Sequence, residues 1–272
     1  MRAVPPKGLR VREIVFAVAM GGLAAGGAAL MLDADDASAP SASAVAVPDH
    51  LTYNVAPFEE ISSIGPQDVI VTYGERFSVR SEGVPEALAL MDAAVDDGKL
   101  VIRQKAPFEN GPNLQSAREF SQGMRQLSSV TFHVTLPRLR AFSLVGTGDA
   151  EIDRIEVERF EASIRGAGEL SIASMQVDEA DLSIAGRGSV DAAGTAGDTR
   201  VSVAGSGELD ARDLRSKTAW VSMAGSGEAS LTVEDEAQVS LKGSGDVDIS
   251  GPARCTVSRM GSGDVRCSGD GD

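Results

Sequence analysis

The residues with the greatest chemical capacity are carboxylates that recur at fixed spacing. Asp149, Glu169, Glu208, Glu228, Asp246 and Asp264 each stand three residues after the first glycine of a Gly-x-Gly triplet, and Ser189 is the one non-acidic member of that series. Glu151, Asp191, Asp210 and Asp248 recur two residues further on. If both rows face outward they form an acidic stripe, which could meet a basic partner or supply hard oxygen ligands to a divalent cation. Asp246 and Asp248 are the candidate calcium pair, and calcium is the one cofactor such a stripe would take. The competing reading is that these acids solubilise the surface, accept hydrogen bonds from backbone amides and discourage stacking between molecules. Like charges one strand spacing apart repel, so the stripe opposes stability unless something offsets it.

Nucleophilic chemistry has weaker support. Ser206, Ser226, Ser244 and Ser262 occupy the centres of four triplets, but a serine nucleophile needs a base beside it, and the chain has only two histidines, His50 and His133. Turn serines bonded to nearby backbone account for the pattern without catalysis. A structural zinc site, which takes about four Cys or His ligands, has little support in a chain whose two His and two Cys would all have to converge. Forty Asp plus Glu against 25 Lys plus Arg, net −15, exclude nucleic acid as a partner, because phosphate binding needs clustered cations. One Trp and two Tyr leave few stacking platforms for a sugar-processing enzyme.

The elements that must position these groups begin with an address. Arg2, Lys7, Arg10 and Arg12 precede a 19-residue run, Ile14 to Leu32, without a charged side chain. At roughly 1.5 Å per residue that run can cross a hydrocarbon core of roughly 30 Å, with the basic flank held inside. Its many Gly and Ala suit a cleaved signal peptide as well as a retained anchor, and both readings stay open. The expected location is the periplasmic or outer side of the membrane, with residues 1–32 as flank and export signal or anchor. Residues 33–52, rich in Ala, Ser, Asp and Pro, read as a flexible tether. Residues 53–272 read as the folded part.

Seven triplets open at Gly146, Gly166, Gly186, Gly205, Gly225, Gly243 and Gly261, spaced by 20, 20, 19, 20, 18 and 18 residues. Apolar residues around them alternate with period two, the mark of strands with one buried face. The position two before each first glycine reads Leu144, Ile164, Ile184, Val203, Met223, Leu241 and then Arg259; the position four before reads Phe142, Ala162, Leu182, Val201, Val221, Val239 and Val257. Equivalent residues after the triplets form two more such columns. Repeating columns are what stacked coils require. The fold class is therefore all-β, a right-handed parallel β-helix or solenoid with Gly-x-Gly coils from residue 142 onward. Arg259 marks the coil where the core meets solvent. Cys255 and Cys267 fall in inward columns of the final coil; exported proteins meet oxidising conditions, so a disulfide and two buried thiols are both open readings.

The Gly-Ser-Gly-Asp/Glu-apolar units, such as Gly243 to Val247, together with Phe58-x-x-Ile61, Asp68 to Tyr73, Asp97 to Ile102 and Leu136-Pro137-x-Leu139, resemble the putative auto-transporter adhesin, head GIN domain family over roughly residues 53–267. The resemblance implies an exported bacterial β-helical domain.

Upstream, Phe58 to Arg80, Lys99 to Arg103 and Val130 to Leu136 read as the first coils. In Pro85 to Asp96, Leu88, Met91 and Val95 fall at i, i+3 and i+7 behind a proline suited to a first helical turn, which predicts a helix capping the open N-terminal edge. Residues 106–128, with Pro107, Gly111, Pro112 and Gly123, read as a long excursion that either carries binding or is a plain insertion. The function expected is an exported, membrane-tethered domain with a binding, adhesive or envelope-organising role and no evident catalysis. Its partner would be an envelope or surface protein or glycan, with membrane contact through residues 14–32. The alternative is a polysaccharide-active or cation-dependent envelope enzyme on a β-helix.

Overall fold

The computed structural model describes residues 49–105 and 128–268. The apolar run 14–32, most of the tether, and residues 106–127 of the excursion lie outside the described residues. Within them the chain is a β-solenoid of about six turns with very little helix. Seven triplet corners bound six full turns.

The repeat sets the register. Strands β8 (Ala141–Gly146), β10 (Ile155–Gly166), β11 (Glu169–Gly186), β12 (Ser189–Gly205), β13 (Glu208–Gly225) and β14 (Glu228–Gly243) pair in parallel. Their first glycines lie opposite one another from Gly146 to Gly243. Between β8 and β10, β9 (Ala150–Ile152) completes a coil; after β14 the last coils are β15 (Asp246–Ser250), β16 (Arg254–Gly261) and β17 (Asp264–Cys267). The four apolar columns are buried from Phe142 to Ile249. They end where the final coil meets solvent: Val257 is 45% exposed, and Arg259 donates to the Gly263 carbonyl and the Asp264 carboxylate.

Glycine is required at the corners. Gly225 has φ +143, a region that costs an L-residue strain, and a Cβ there would fall on the carbonyl oxygen of Gly205. The close approach lets the Ser226 N–H donate to that oxygen at 2.9 Å, and the same bond recurs along the corner.

The N-terminal end departs from sequence order. Strands β2 (Glu60–Gly65) and β3 (Asp68–Tyr73) pair in parallel with β8 and β9, so Gly65 lies opposite Gly146 and opens an eighth corner, Gly65-Pro66-Gln67. On their other edges lie β6 (Lys99–Gln104) and β7 (Thr131–Leu136), also parallel. The coil made by β6 and β7, later in sequence, is thus outermost in space. Residues 105–130 link β6 to β7 where every other coil has a two- or three-residue corner.

The expected helix is shorter than its pattern. Only Pro85–Ala89 is helical (α1), with Ala87 and Leu88 buried. Met91–Asp96 is a strand, β5, antiparallel to β6. The intervening Asp97-Gly98 has φ +47 and +76, the two-residue turn that Asp-Gly favours in hairpins. Met91 and Ala93 also satisfy a period of two, and the turn decides between the periods. The open edge is therefore covered chiefly by strands: β5 lies on β6, and β4 (Ser78–Glu82) lies antiparallel on β7 with β1 (His50–Tyr53) beyond it. β1 takes in His50 to Thr52, placed by composition in the tether.

Candidate functional site

The solenoid carries two contrasting outward rows. In the acidic row, Glu169, Ser189, Glu208, Glu228, Asp246 and Asp264 are successive register partners. Asp68 and Asp149 extend it toward the N-terminal end through backbone contacts: the Asp149 N–H donates to Asp68 Oδ1 and the Glu169 N–H to Asp149 Oδ1, both at 3.0 Å. The Asp264 N–H donates to Asp246 Oδ1 at 3.2 Å. The three aspartates thereby bond the backbone amide of the next coil just past each corner. Among the carboxylates two residues further on, Asp210 is paired with Arg212, whose hydrogen bond holds its carboxyl below the ordinary range, and Asp248 has Arg266 as its register neighbour. Among the described residues, no group of three or more His, Cys, Asp or Glu is arranged to hold a metal ion.

The second row is made of serine. Ser62, Ser143, Ser163, Ser183, Ser202, Ser222, Ser240 and Ser258 are successive register partners over eight coils, each three residues before a corner glycine, and of these Ser163 is buried. Sequence reasoning missed this row, although its spacing is that of the triplets. Beside it, two residues earlier on each strand and so on the same face, runs a row of larger side chains: Asp181, Arg200, Trp220, Gln238 and Thr256. Large groups next to small ones leave a groove of about 560 Å³. Ser202, Ser222 and Ser240 lie along it, and Trp220, 38% exposed, stands at its side.

The aromatic wall is braced from neighbouring coils. The Arg200 guanidinium lies over the Trp220 ring, 5.2 Å from its centroid. Glu179 Oε2 lies 3.4 Å from Arg200 and 2.6 Å from Arg159. The Arg159 hydrogen bond is the main cause that lowers the Glu179 carboxyl from its ordinary value. Four side chains on successive coils, Arg159, Glu179, Arg200 and Trp220, form one chain of contacts.

The remaining candidates lie elsewhere. His50 Nδ1 is 3.0 Å from Asp49 and His133 Nε2 is 3.6 Å from Glu82, both at the N-terminal end and several coils from the triplet serines. The Ser262 hydroxyl donates to that of Ser244 at 3.2 Å. Cys255 and Cys267 are joined by a disulfide with Cα atoms 6.5 Å apart. Among the described residues no helix is long and apolar enough to cross a membrane.

The profile described as "Putative auto-transporter adhesin, head GIN domain" matches residues 57–253. The chain belongs to this family. Solved structures share the fold. A putative adhesin from Bacteroides fragilis NCTC 9343 superposes with a TM-score of 0.71 at 20% identity, covering 80% of this chain and 95% of that one. A putative lipid binding protein from Parabacteroides distasonis ATCC 8503 gives 0.60 at 19% identity, covering 80% and 95%. A putative adhesin from Parabacteroides merdae ATCC 43184 gives 0.60 at 14%, covering 80% and 94%. No curated protein sequence matches the chain. The head GIN match ends at Ala253, so the disulfide-bonded strands β16 and β17 lie beyond it.

Proposed function

We propose that this head GIN protein is an exported, non-catalytic binding domain of the cell envelope, held at the membrane by residues 14–32. Adhesion or envelope organisation is exerted through an outer face of the solenoid. The observation that carries this reading is the serine face with its groove. A rigid stack of coils presents identical hydroxyls in register beside a braced aromatic group, whereas the apolar columns are spent on the interior.

The acidic row serves this function indirectly. Asp68, Asp149 and Asp246 are engaged with backbone amides of the next coil, which supports a role in ordering corners and keeping the surface soluble rather than in holding calcium with Asp248.

Capture from envelope extracts tests the reading. The immobilised full chain is expected to retain an envelope component with or without calcium. A folded variant neutralising Asp149, Glu169, Glu208 and Glu228 should retain it equally, and Trp220→Ala should lose most of it. Loss in the acidic variant with retention in Trp220→Ala would move the binding face to the acidic row; no capture by the native chain would remove the binding role.

A further inference from the structure

Resting on that binding role, we propose that the occupant of the groove between the serine row and Trp220 is a neutral, linear polysaccharide lying along the solenoid axis.

The argument starts from charge. In a chain of net charge −15 the groove is lined by one acid, Asp181, and one base, Arg200, which are register partners; the other lining side chains are uncharged. Nothing there attracts a polyanion or a polycation, and a neutral ligand matches a neutral lining. The second step is hydrogen-bonding capacity. Serine and threonine hydroxyls both donate and accept, and the Gln238 amide does both from separate atoms. Ser202, Ser222, Ser240 and Ser258 repeat at the strand spacing of about 4.8 Å, close to the length of one pyranose unit in an extended glycan, so successive sugars can meet equivalent groups. The third is the aromatic wall. The C–H face of a pyranose is apolar and weakly electropositive, and the indole π-face and edge supply the complementary surface. Arg200, anchored by Glu179, holds that ring in place.

A protein partner fits less well. Interface cores are enriched in several aromatic, Met and Arg side chains, and the groove lining offers one such pair, Arg200 and Trp220, among serines; the row beyond them holds Ala204, Ala224 and Lys242 and reaches the exposed Met260 only at the final coil. The groove is open along its length and spans five coils, Asp181 to Thr256, about 19 Å at that strand spacing, which suits a chain of several sugars rather than a single small molecule.

Trp220 is the only tryptophan of the chain, so its emission reports on the groove directly. The full chain, purified in detergent, is titrated with a panel of neutral hexasaccharides, including the β-1,4-linked glucose and N-acetylglucosamine hexamers, and with a polygalacturonate hexamer. A saturable change in emission is expected with at least one neutral hexamer, at least tenfold weaker with polygalacturonate. Ser222→Leu, which fills the groove and keeps Trp220, should weaken binding at least tenfold, and Arg187→Ala, at an exposed corner, should not. Gln238→Ala, an exposed truncation, serves as the second groove variant should Ser222→Leu lose its native circular dichroism. No saturable change with any neutral hexamer, tighter binding of polygalacturonate, or unchanged affinity in a folded groove variant would overturn the proposal. Envelope capture by the native chain alongside such a result would leave the binding role standing and reject only its glycan ligand.

Discussion

The Arg200 guanidinium lies 5.2 Å from the centroid of the Trp220 ring, one coil away in register, and is itself tied to Glu179 on the preceding coil. A solenoid makes such relationships possible because every outward side chain has a fixed neighbour on the next coil. An exposed indole is thereby ordered by groups more than one coil distant.

This arrangement predicts a pH response. The Glu179 carboxyl lies below its ordinary value, chiefly through the Arg159 hydrogen bond. A carboxyl lowered in the folded state favours that state above its unfolded value and loses the effect as pH falls through the folded one. Trp220 emission should therefore hold steady down through the usual glutamate range and change only below it. In Arg159→Ala the transition should move to higher pH; an unmoved transition would separate Glu179 from the indole.

At the corners, two glycines separate strain from collision. Gly225→Ala places a Cβ on the Gly205 carbonyl at φ +143, whereas at Gly98, φ +76, a Cβ would meet nothing within 4 Å. Gly98→Ala should cost only the backbone strain, about 1–2 kcal/mol. Gly225→Ala should cost about 3 kcal/mol or more, since neighbouring backbone must shift as well. Equilibrium urea unfolding of both variants checks the order; equal losses would mean that the corner backbone yields freely.

The aspartates that bond the next coil predict a difference between two substitutions. Asp149→Asn keeps an oxygen that can accept the Glu169 N–H and removes one charge from a like-charged row, so stability should change by less than about 0.5 kcal/mol. Asp149→Ala loses the acceptor and should cost about 1 kcal/mol. If Asn costs as much as Ala, the charge itself is what matters at this corner.

The central coils were legible in the sequence because each chemical requirement repeats. Gly225 must be glycine for a steric reason that recurs at Gly205 and Gly243, and Met223 and Leu241 stack because the spacing brings them into register. The N-terminal end carries each instruction once. Nothing in the order of Gly65, Gln104 and Gly146 says that β6 will lie outside β2, since that pairing depends on which edges remain free after the repeat has formed. Ser63, inward where later coils have Leu, Ile, Val or Met, is buried beside the Gln67 amide, which donates to its hydroxyl at 2.8 Å; this polar exchange also breaks the apolar column by which the eighth corner could have been found. Of the site, the acidic row could be read directly. The groove could not, because it arises from the size difference between adjacent rows, Trp220 beside Ser222, rather than from a motif.

The final coil offers a test of how the end of the solenoid is held. Its strands have no further coil to pair with among the described residues, Val257 and Met260 are exposed, and what fastens the coil to itself is Arg259 on Gly263 and Asp264 together with the Cys255–Cys267 disulfide. A closed loop of this size constrains the unfolded chain by about 3 kcal/mol in the entropic view. The Cys255→Ser, Cys267→Ser double variant should therefore exchange amide hydrogens faster at Arg254 to Cys267 while coils from Gly146 to Gly225 stay protected, because coils of a solenoid depend mainly on their neighbours. Leu241→Ala, one coil inward and fully buried, should instead cost about 2–5 kcal/mol and lower protection in the adjoining coils. Uniform loss of protection in the cysteine variant would make the disulfide a support of the whole stack rather than of its end.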